Sequence, residues 1–325
     1  MLAYVLRRLV ISILVVLGAS FVVFVLVANS GNPLAMLEAN PHVSPATIHA
    51  RELQLHLNDP VLVRYGIWLG GIFHGTLGDK LNGQAVAPLL WSRLFITMRM
   101  ILPTIAISLV VAVAIGVVSS VRQYSATDYV STGLSFLFLS TPVFVVGILL
   151  KEFVAIPLNK KVGHVVLYTV GEQNPLLTGG FLSRVPDYMA HTVLPVITLV
   201  LITYAAWSRY QRASMLEVLN SDYVRLARAK GLSPRRVLVR HVLRNALIPL
   251  TTVVALDFAV LWGGAIVTEQ VFGWDAMGQF LLQGIEGLDI NVVQAWLLVT
   301  AVMVVIFNLL ADILYAYLDP RIRYG

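Results

Sequence analysis

The chain has 325 residues, of which 58% are hydrophobic and 12% charged, with a mean hydropathy of +0.81. A water-soluble globular protein carries about 25% charged residues, so this composition excludes one; it leaves too little polar surface to cover a body in water. The lack of cysteine excludes disulfides, thiol catalysis and cysteine-ligated metals, and the net charge of +6 sits beside apolar stretches, which favours membrane orientation over nucleic acid.

Six apolar stretches can each cross about 30 Å of hydrocarbon as a helix. They are 9–27, 100–121, 130–150, 194–207, 246–267 and 292–318, the fourth extending back through His191 and Thr192. Arg7 and Arg8 before the first, with Ala28-Asn29-Ser30 after it, imitate a cleaved leader. The apolar core of a leader runs to about 7–15 residues, so the longer 9–27 is expected to stay as a membrane helix.

The segment 29–98 between the first two spans is too long and apolar for a linker. Ser44-Pro45 and Asp59-Pro60 each read as an N-cap followed by proline at the first helical position. After Pro60, the residues Val61, Tyr65, Trp68, Leu69, Ile72 and Phe73 recur at helical spacing and need a surface to bury against. Gly70 and Gly75 resemble the start of a phosphate-binding loop, but Thr76 stands where its lysine belongs.

With the N-terminus inside, the inner segments hold fourteen of the 23 Lys and Arg residues against four carboxylates; the outer segments hold nine against eleven. This bias places both termini in the cytoplasm. Among the inner segments, 209–245 is the most informative. Ser221-Asp222 is expected to cap a helix over 223–230, with Gly231 in the left-handed position that ends it. Ser233-Pro234 then starts a second helix at the membrane surface. On it Arg236, Arg240 and Arg244 form one stripe, and Leu238, Val242 and Ala246 another on the far side. Contact with anionic lipid headgroups and docking of a cytoplasmic protein both fit this element.

The run Asp222-Tyr223-Val224-Arg225-Leu226-Ala227-Arg228-Ala229-Lys230-Gly231-Leu232-Ser233, followed by Arg240-His241-x-x-Arg244-Asn245-Ala246-Leu247-Ile248-Pro249, resembles the cytoplasmic loop of binding-protein-dependent ABC permeases. The likeness is to the B-type permease subunit of oligopeptide and dipeptide importers. It continues in Arg93-Leu94, Ser140-Thr141-Pro142-Val143-Phe144, Leu194-Pro195, Glu269-x-Val271-Phe272-x-Trp274, Asn308-Leu309-x-x-Asp312-x-x-Tyr315 and Asp319-Pro320-Arg321-Ile322-Arg323-Tyr324. The resemblance implies an all-α polytopic fold of the type I importer permease kind: a first helix with its cytoplasmic end (1–28), a partly helical extracytoplasmic insert (29–98) and a permease core (99–325) in a bacterial plasma membrane. It implies a heterodimer with a homologous C-type permease, two cytoplasmic ATPases or one fused ATPase, and an extracytoplasmic peptide-binding protein. ATP and Mg are then used by the partner ATPases, with no cofactor bound and no reaction catalysed by this chain. Within the resemblance, Asp222, Tyr223, Arg225, Leu226, Ala227, Arg228, Lys230 and Gly231 form the element that couples to an ATPase. Nickel and glutathione importers share these signatures.

Three positions depart from the pattern: Asp257 in mid-span, Asp275-Ala276 in place of Pro-Gly, and Lys151-Glu152 near the end of the third span. Asp257 reads either as a group lining the translocation path or as a hydrogen-bonding partner of a neighbouring helix. Asp312 reads as a helix-end ion pair with Arg321 and Arg323, and Trp274 and Tyr315 as interfacial anchors. Pro142, Pro195 and Pro249 read as kinks or helix starts. His42, His49 and His56 recur every seven residues, yet Pro45 interrupts any helix that would join them. No nucleophile elbow and no phosphate-loop lysine occur. An ion-coupled secondary transporter, the alternative class, requires more intramembrane charge and broken helices in paired halves.

Overall fold

The structure is a computed structural model that describes residues 2–177 and 180–318. Among them the regular structure is helical, with a single isolated antiparallel bridge between Asp79 and Ala85. The helices are α1 Leu2–Ala28, α2 Ala35–Glu38, α3 Pro45–Gln54, α4 Val61–Phe73, α5 Val86–Val121, α6 Ala126–Ser140, α7 Val143–Val162, α8 Phe181–Leu219, α9 Asp222–Ala229, α10 Pro234–Phe272, α11 Met277–Glu286 and α12 Ile290–Leu318. Five are long and apolar enough to span a membrane, and α6 with α7 makes a sixth, bent span. The chain divides into two compact units, one of Met1–Ile96 with Asp275–Val305, the other of Thr97–Trp274 with Ile306–Gly325.

In the first unit, α4 packs against α1 as its apolar spacing requires. Tyr65 sets its ring edge-on to Phe21 and Phe24 and shares a hydrogen bond of 2.8 Å with Ser20. Trp68 is buried and Leu69 and Ile72 half-buried, but Phe73 at the end of the same helix is 85% exposed, so the expected apolar face excludes its last residue. Ser44 caps α3 as expected, accepting from the Thr47 amide at 3.2 Å. Asp59 does not cap α4. Its carboxylate instead lies 2.9 Å from His56 Nδ1, and Pro60 occupies the cap position.

In the second unit the helices outrun the apolar windows. α8 continues through Pro186 and Pro195 and on to Leu219, well past the predicted limits of 194 and 207. Hydropathy ends where Arg209 and Arg212 begin, but helical hydrogen bonding does not. Similarly, the second helix expected within 209–245 is not separate from the fifth span: α10 is continuous from Pro234 to Phe272 and passes Pro249 without a break. Its stretch Val237–Leu243 is π-helical. A π turn brings residues five apart into line, so Val237, Val242 and then Ala246 form the buried stripe, with Val237 replacing the predicted Leu238. Arg236, Arg240 and Arg244 stay exposed, as their spacing indicates.

The third span is a bent pair. α6 ends at Ser140, Thr141 is extended, and α7 starts after Pro142 at 106° to it. A residue before proline is driven out of the helical region, and proline offers no amide to continue the ladder. An apolar window over 130–150 cannot register this break. α8, α10 and α6 pack together around Tyr204, Trp207, Leu250 and Leu261.

Candidate functional site: a short two-faced helix and the carboxylates of the spans

The short helix α9 has two unlike faces. Val224 is fully buried and Ala227 nearly so, packed with Met215, Val237, Val242 and Ala246 in one apolar cluster. Tyr223 is 45% exposed and Leu226 56%, and Asp222, Arg225, Arg228 and Lys230 are exposed beside them. Thus Ala227, one of the residues that the resemblance assigns to the coupling element, belongs to the anchored face. Val224, which that reading passed over, holds the helix down. Full burial of such an aliphatic side chain is worth about 1.5–3 kcal/mol.

Both ends of α9 follow backbone rules. Ser221 stands at the N-cap, but its hydroxyl donates back to the Val218 carbonyl at 2.6 Å and so does not cap. At the other end Gly231, with φ +76°, donates to Arg228 O at 2.9 Å, and Leu232 donates to Ala227 O at 3.3 Å. This is a Schellman closure, and it needs a residue that tolerates positive φ. A side chain links the helix to α10: Asn245 Nδ2 donates to the Tyr223 hydroxyl at 3.2 Å and to His241 O at 2.8 Å. Asp222 and Arg225 pair at 2.5 Å in open solvent, where such pairs contribute little.

Asp257 is engaged by a neighbouring helix. Trp207 Nε1, from a fully buried indole on α8, donates to Asp257 Oδ2 at 2.7 Å. The hydrogen-bonding reading of this residue therefore has a named partner.

Other charged residues of the spans had no partner visible in the sequence. Arg212 on α8 binds Asp128 on α6 through two contacts, Nε to Oδ1 at 2.7 Å and NH2 to Oδ2 at 2.8 Å. Ser119 of α5 donates to the same carboxylate, as does the Tyr124 amide at 3.0 Å. Three helices are thereby fastened at one buried carboxylate. The local signal for this site is the spacing Ser125-x-x-Asp128, in which Ser125 caps α6 by accepting from the Asp128 amide. Glu269, buried in α10, accepts from Thr97 Oγ1 at 2.5 Å.

The two remaining departures from the family pattern acquire partners. Asp275 pairs with Arg93 through contacts at 2.7 and 3.1 Å. Lys151, in the π-helical stretch Lys151–Ala155, donates to Val271 O at 2.8 Å. That contact completes the end of α10. Trp274 N donates to Glu269 O at 2.8 Å, Gly273 N to Gln270 O at 3.2 Å and Gly171 N to Phe272 O at 2.8 Å. All four carbonyls that a helix end leaves open are filled. Trp274 is buried beneath the Arg99 guanidinium at 5.0 Å, so it is not the interfacial anchor expected of it. The side chains of Asp312 and Tyr315, and residues 319–325, lie outside the described part. His49 Nδ1 faces Glu52 at 3.2 Å, on a helix that begins only at Pro45.

Long apolar helices, a bent span and a two-faced surface helix joined to a continuous span by a glycine turn define a multi-pass membrane protein of the transport-permease kind. Residues 112–324 match the family described as "Binding-protein-dependent transport system inner membrane component", and residues 1–116 match the family described as its N-terminal part; the chain belongs to this family. It is 39% identical over 321 residues to the oligopeptide transport system permease protein OppB of Mycobacterium tuberculosis, with 98% of each chain covered. It is 36% identical over 327 residues to the oligopeptide transport system permease protein AppB of Bacillus subtilis, with 100% of each covered. The fold is similar to that of a chain in an inward-facing structure of the MetNI methionine ABC transporter, at a TM-score of 0.55 and 16% identity, covering 71% of this chain and 96% of that one.

Proposed function

We propose that this chain forms half of the pore of an ATP-driven importer of oligopeptides or dipeptides, and that α9 is the lever through which an ATPase drives it. The observation that carries the reading is the division of α9 into an anchored face, Val224 and Ala227, and an offered face, Tyr223 and Leu226 flanked by Asp222, Arg225, Arg228 and Lys230. Val224 and Ala227 pack against α10 residues Val242 and Ala246, and the Asn245–Tyr223 hydrogen bond ties the same helices, so a displacement of α9 is passed to a span. A homologous C-type permease completes the pore, two ATPase subunits or one fused ATPase supply the motion, and a peptide-binding protein delivers cargo. ATP and Mg act on those partners, and this chain catalyses no reaction. In this reading 209–245 faces the cytoplasm, both termini lie there, and 29–98 is an extracytoplasmic insert on a permease core of 99–325.

Copurification from membranes tests the assembly: a second permease and ATPase subunits are expected to accompany the chain. Solute uptake by liposomes holding this chain alone would refute the reading. Tyr223→Ala removes both an exposed ring and the link to Asn245, and is expected to leave ATP hydrolysis running while peptide uptake falls about tenfold or more, the scale of a lost 1.4 kcal/mol contact. Uptake in step with hydrolysis in that variant would exclude the lever.

Asp257 belongs to the translocation path in this proposal, with Oδ2 held by Trp207 and Oδ1 turned to the cargo's amino terminus. Support comes from its partial exposure and from the default expectation that an intramembrane carboxylate marks a pathway. Asp257→Asn is expected to weaken uptake of peptides with free amino termini relative to blocked ones. Equal effects on both would assign the residue to the Trp207 contact alone.

A further inference from the structure

Within the unit of Met1–Ile96 and Asp275–Val305, α4 and the turns facing it line a cavity of about 290 Å³. Small-ligand sites begin near this size, at about 300 Å³. The lining carries charge of both signs, and part of its hydrogen-bonding capacity is unused.

Arg64 and Trp68 stand one turn apart on α4, and both line the cavity. The indole Nε1 of Trp68 is sealed from solvent and has no hydrogen-bond partner among the described residues. A buried donor left unmade costs about 1–3 kcal/mol, so this one calls for an acceptor. The Arg64 guanidinium lies over the Phe24 ring at 5.9 Å and makes no hydrogen bond among the described residues. Burial lowers its pKa from the ordinary arginine value, opposed by the charge of Asp59. Two donors therefore border one cavity, and neither has an acceptor within bonding distance among the described residues.

Asp79 and Asp289 also line the cavity. Asp289 is committed to the backbone, accepting from Leu81 N at 2.8 Å and Val292 N at 3.4 Å. Asp79 lends its main-chain carbonyl to Asn291 Nδ2 at 2.8 Å, and its carboxylate accepts no hydrogen bond among the described residues. A simple anion would satisfy Arg64 and Trp68 but meet two carboxylates. A simple cation would satisfy Asp79 but meet a guanidinium. A molecule carrying both charges meets neither penalty.

We propose that this cavity binds a small zwitterion of the α-amino acid type, its carboxylate on Arg64 and Trp68 and its ammonium on Asp79. The site is independent of the pore reading.

The test is calorimetric titration of the full chain in lipid nanodiscs, with any subunits that copurify, using L-alanine as the probe. N-acetyl-L-alanine and L-alanine methyl ester, each lacking one charge, are the controls. L-alanine is expected to bind at millimolar concentration or below, and each control about tenfold more weakly or worse, as loss of one charged hydrogen bond dictates. Arg64→Gln and Trp68→Phe, the latter keeping the ring and deleting only the N–H, are each expected to weaken binding by a similar factor. Asp79→Asn, a milder change on a partly exposed turn, serves should either of those fail to fold. Absence of L-alanine binding, equal affinity for either control, or wild-type affinity in folded Trp68→Phe or Asp79→Asn would each overturn the proposal.

Discussion

Two helix ends in this protein carry the same local device and use it differently. α9 ends at Gly231 and α10 at Gly273, both left-handed, with φ +76° and +62°. At Gly231 the closure is local: Arg228 and Ala227 receive the amides of Gly231 and Leu232, and nothing lies within 4 Å of where a β-carbon would stand. At Gly273 the closure is knitted from afar. Gly171 and Lys151 supply donors from two remote segments, and a β-carbon would meet Val170 Cγ1 at 2.9 Å. The first end is free on one side, as the proposed lever requires. The second is fixed by three stretches of chain at once.

That contrast predicts a graded series of effects. Gly273→Val is expected to be the most damaging. It forces a β-branched residue into the left-handed region, at about 1–2 kcal/mol, and overpacks against Val170, at about 1–3 kcal/mol more. A large fall in folded yield and in the detergent unfolding midpoint should result; a wild-type midpoint would show the end of α10 to be loosely held. Lys151→Met keeps the apolar stem and deletes the donor to Val271 O. About 1–3 kcal/mol of stability is expected to be lost, read as a smaller drop in the same midpoint. Gly231→Ala meets open space and carries only the dihedral cost of about 1–2 kcal/mol, confined to the loop. Folded yield should be nearly unchanged while coupling of uptake to ATP hydrolysis is impaired. If Gly231→Ala proved as destabilising as Gly273→Val, the two ends would not differ as described.

The same contrast explains what could be read from the sequence. α9 and Gly231 were legible because every interaction that closes them lies within about six residues. The spans were legible as apolar runs, and α9's exposed aromatic and basic residues as a recognisable pattern. What escaped was remote or geometrical. Arg212 looked like one more loop charge because Asp128, its partner, is 84 residues away. Lys151 looked like an interruption because its acceptor is a backbone carbonyl 120 residues on, which no residue type announces. Asp275 looked like a lost Pro-Gly until Arg93 appeared beside it. A hydropathy window sees composition, so it ended α8 at its first arginines and read straight through the bend at Pro142. The π-helical stretch of α10 was hidden for another reason: its surplus residue moves the buried stripe from Leu238 to Val237, a shift that a regular period does not contain.

The filled end of α10 also bears on what this molecule can be. Aligned peptide dipoles make the carboxyl end of a helix electron-rich, and membrane transporters that run on sodium or protons use such ends as cradles for the driving ion. Here the Lys151 ammonium already occupies that place, 2.8 Å from Val271 O. The protein has supplied its own side-chain donor there, and the electrical pole of the helix is committed to holding the fold, with no carbonyl of that end left over to dehydrate a passing metal ion.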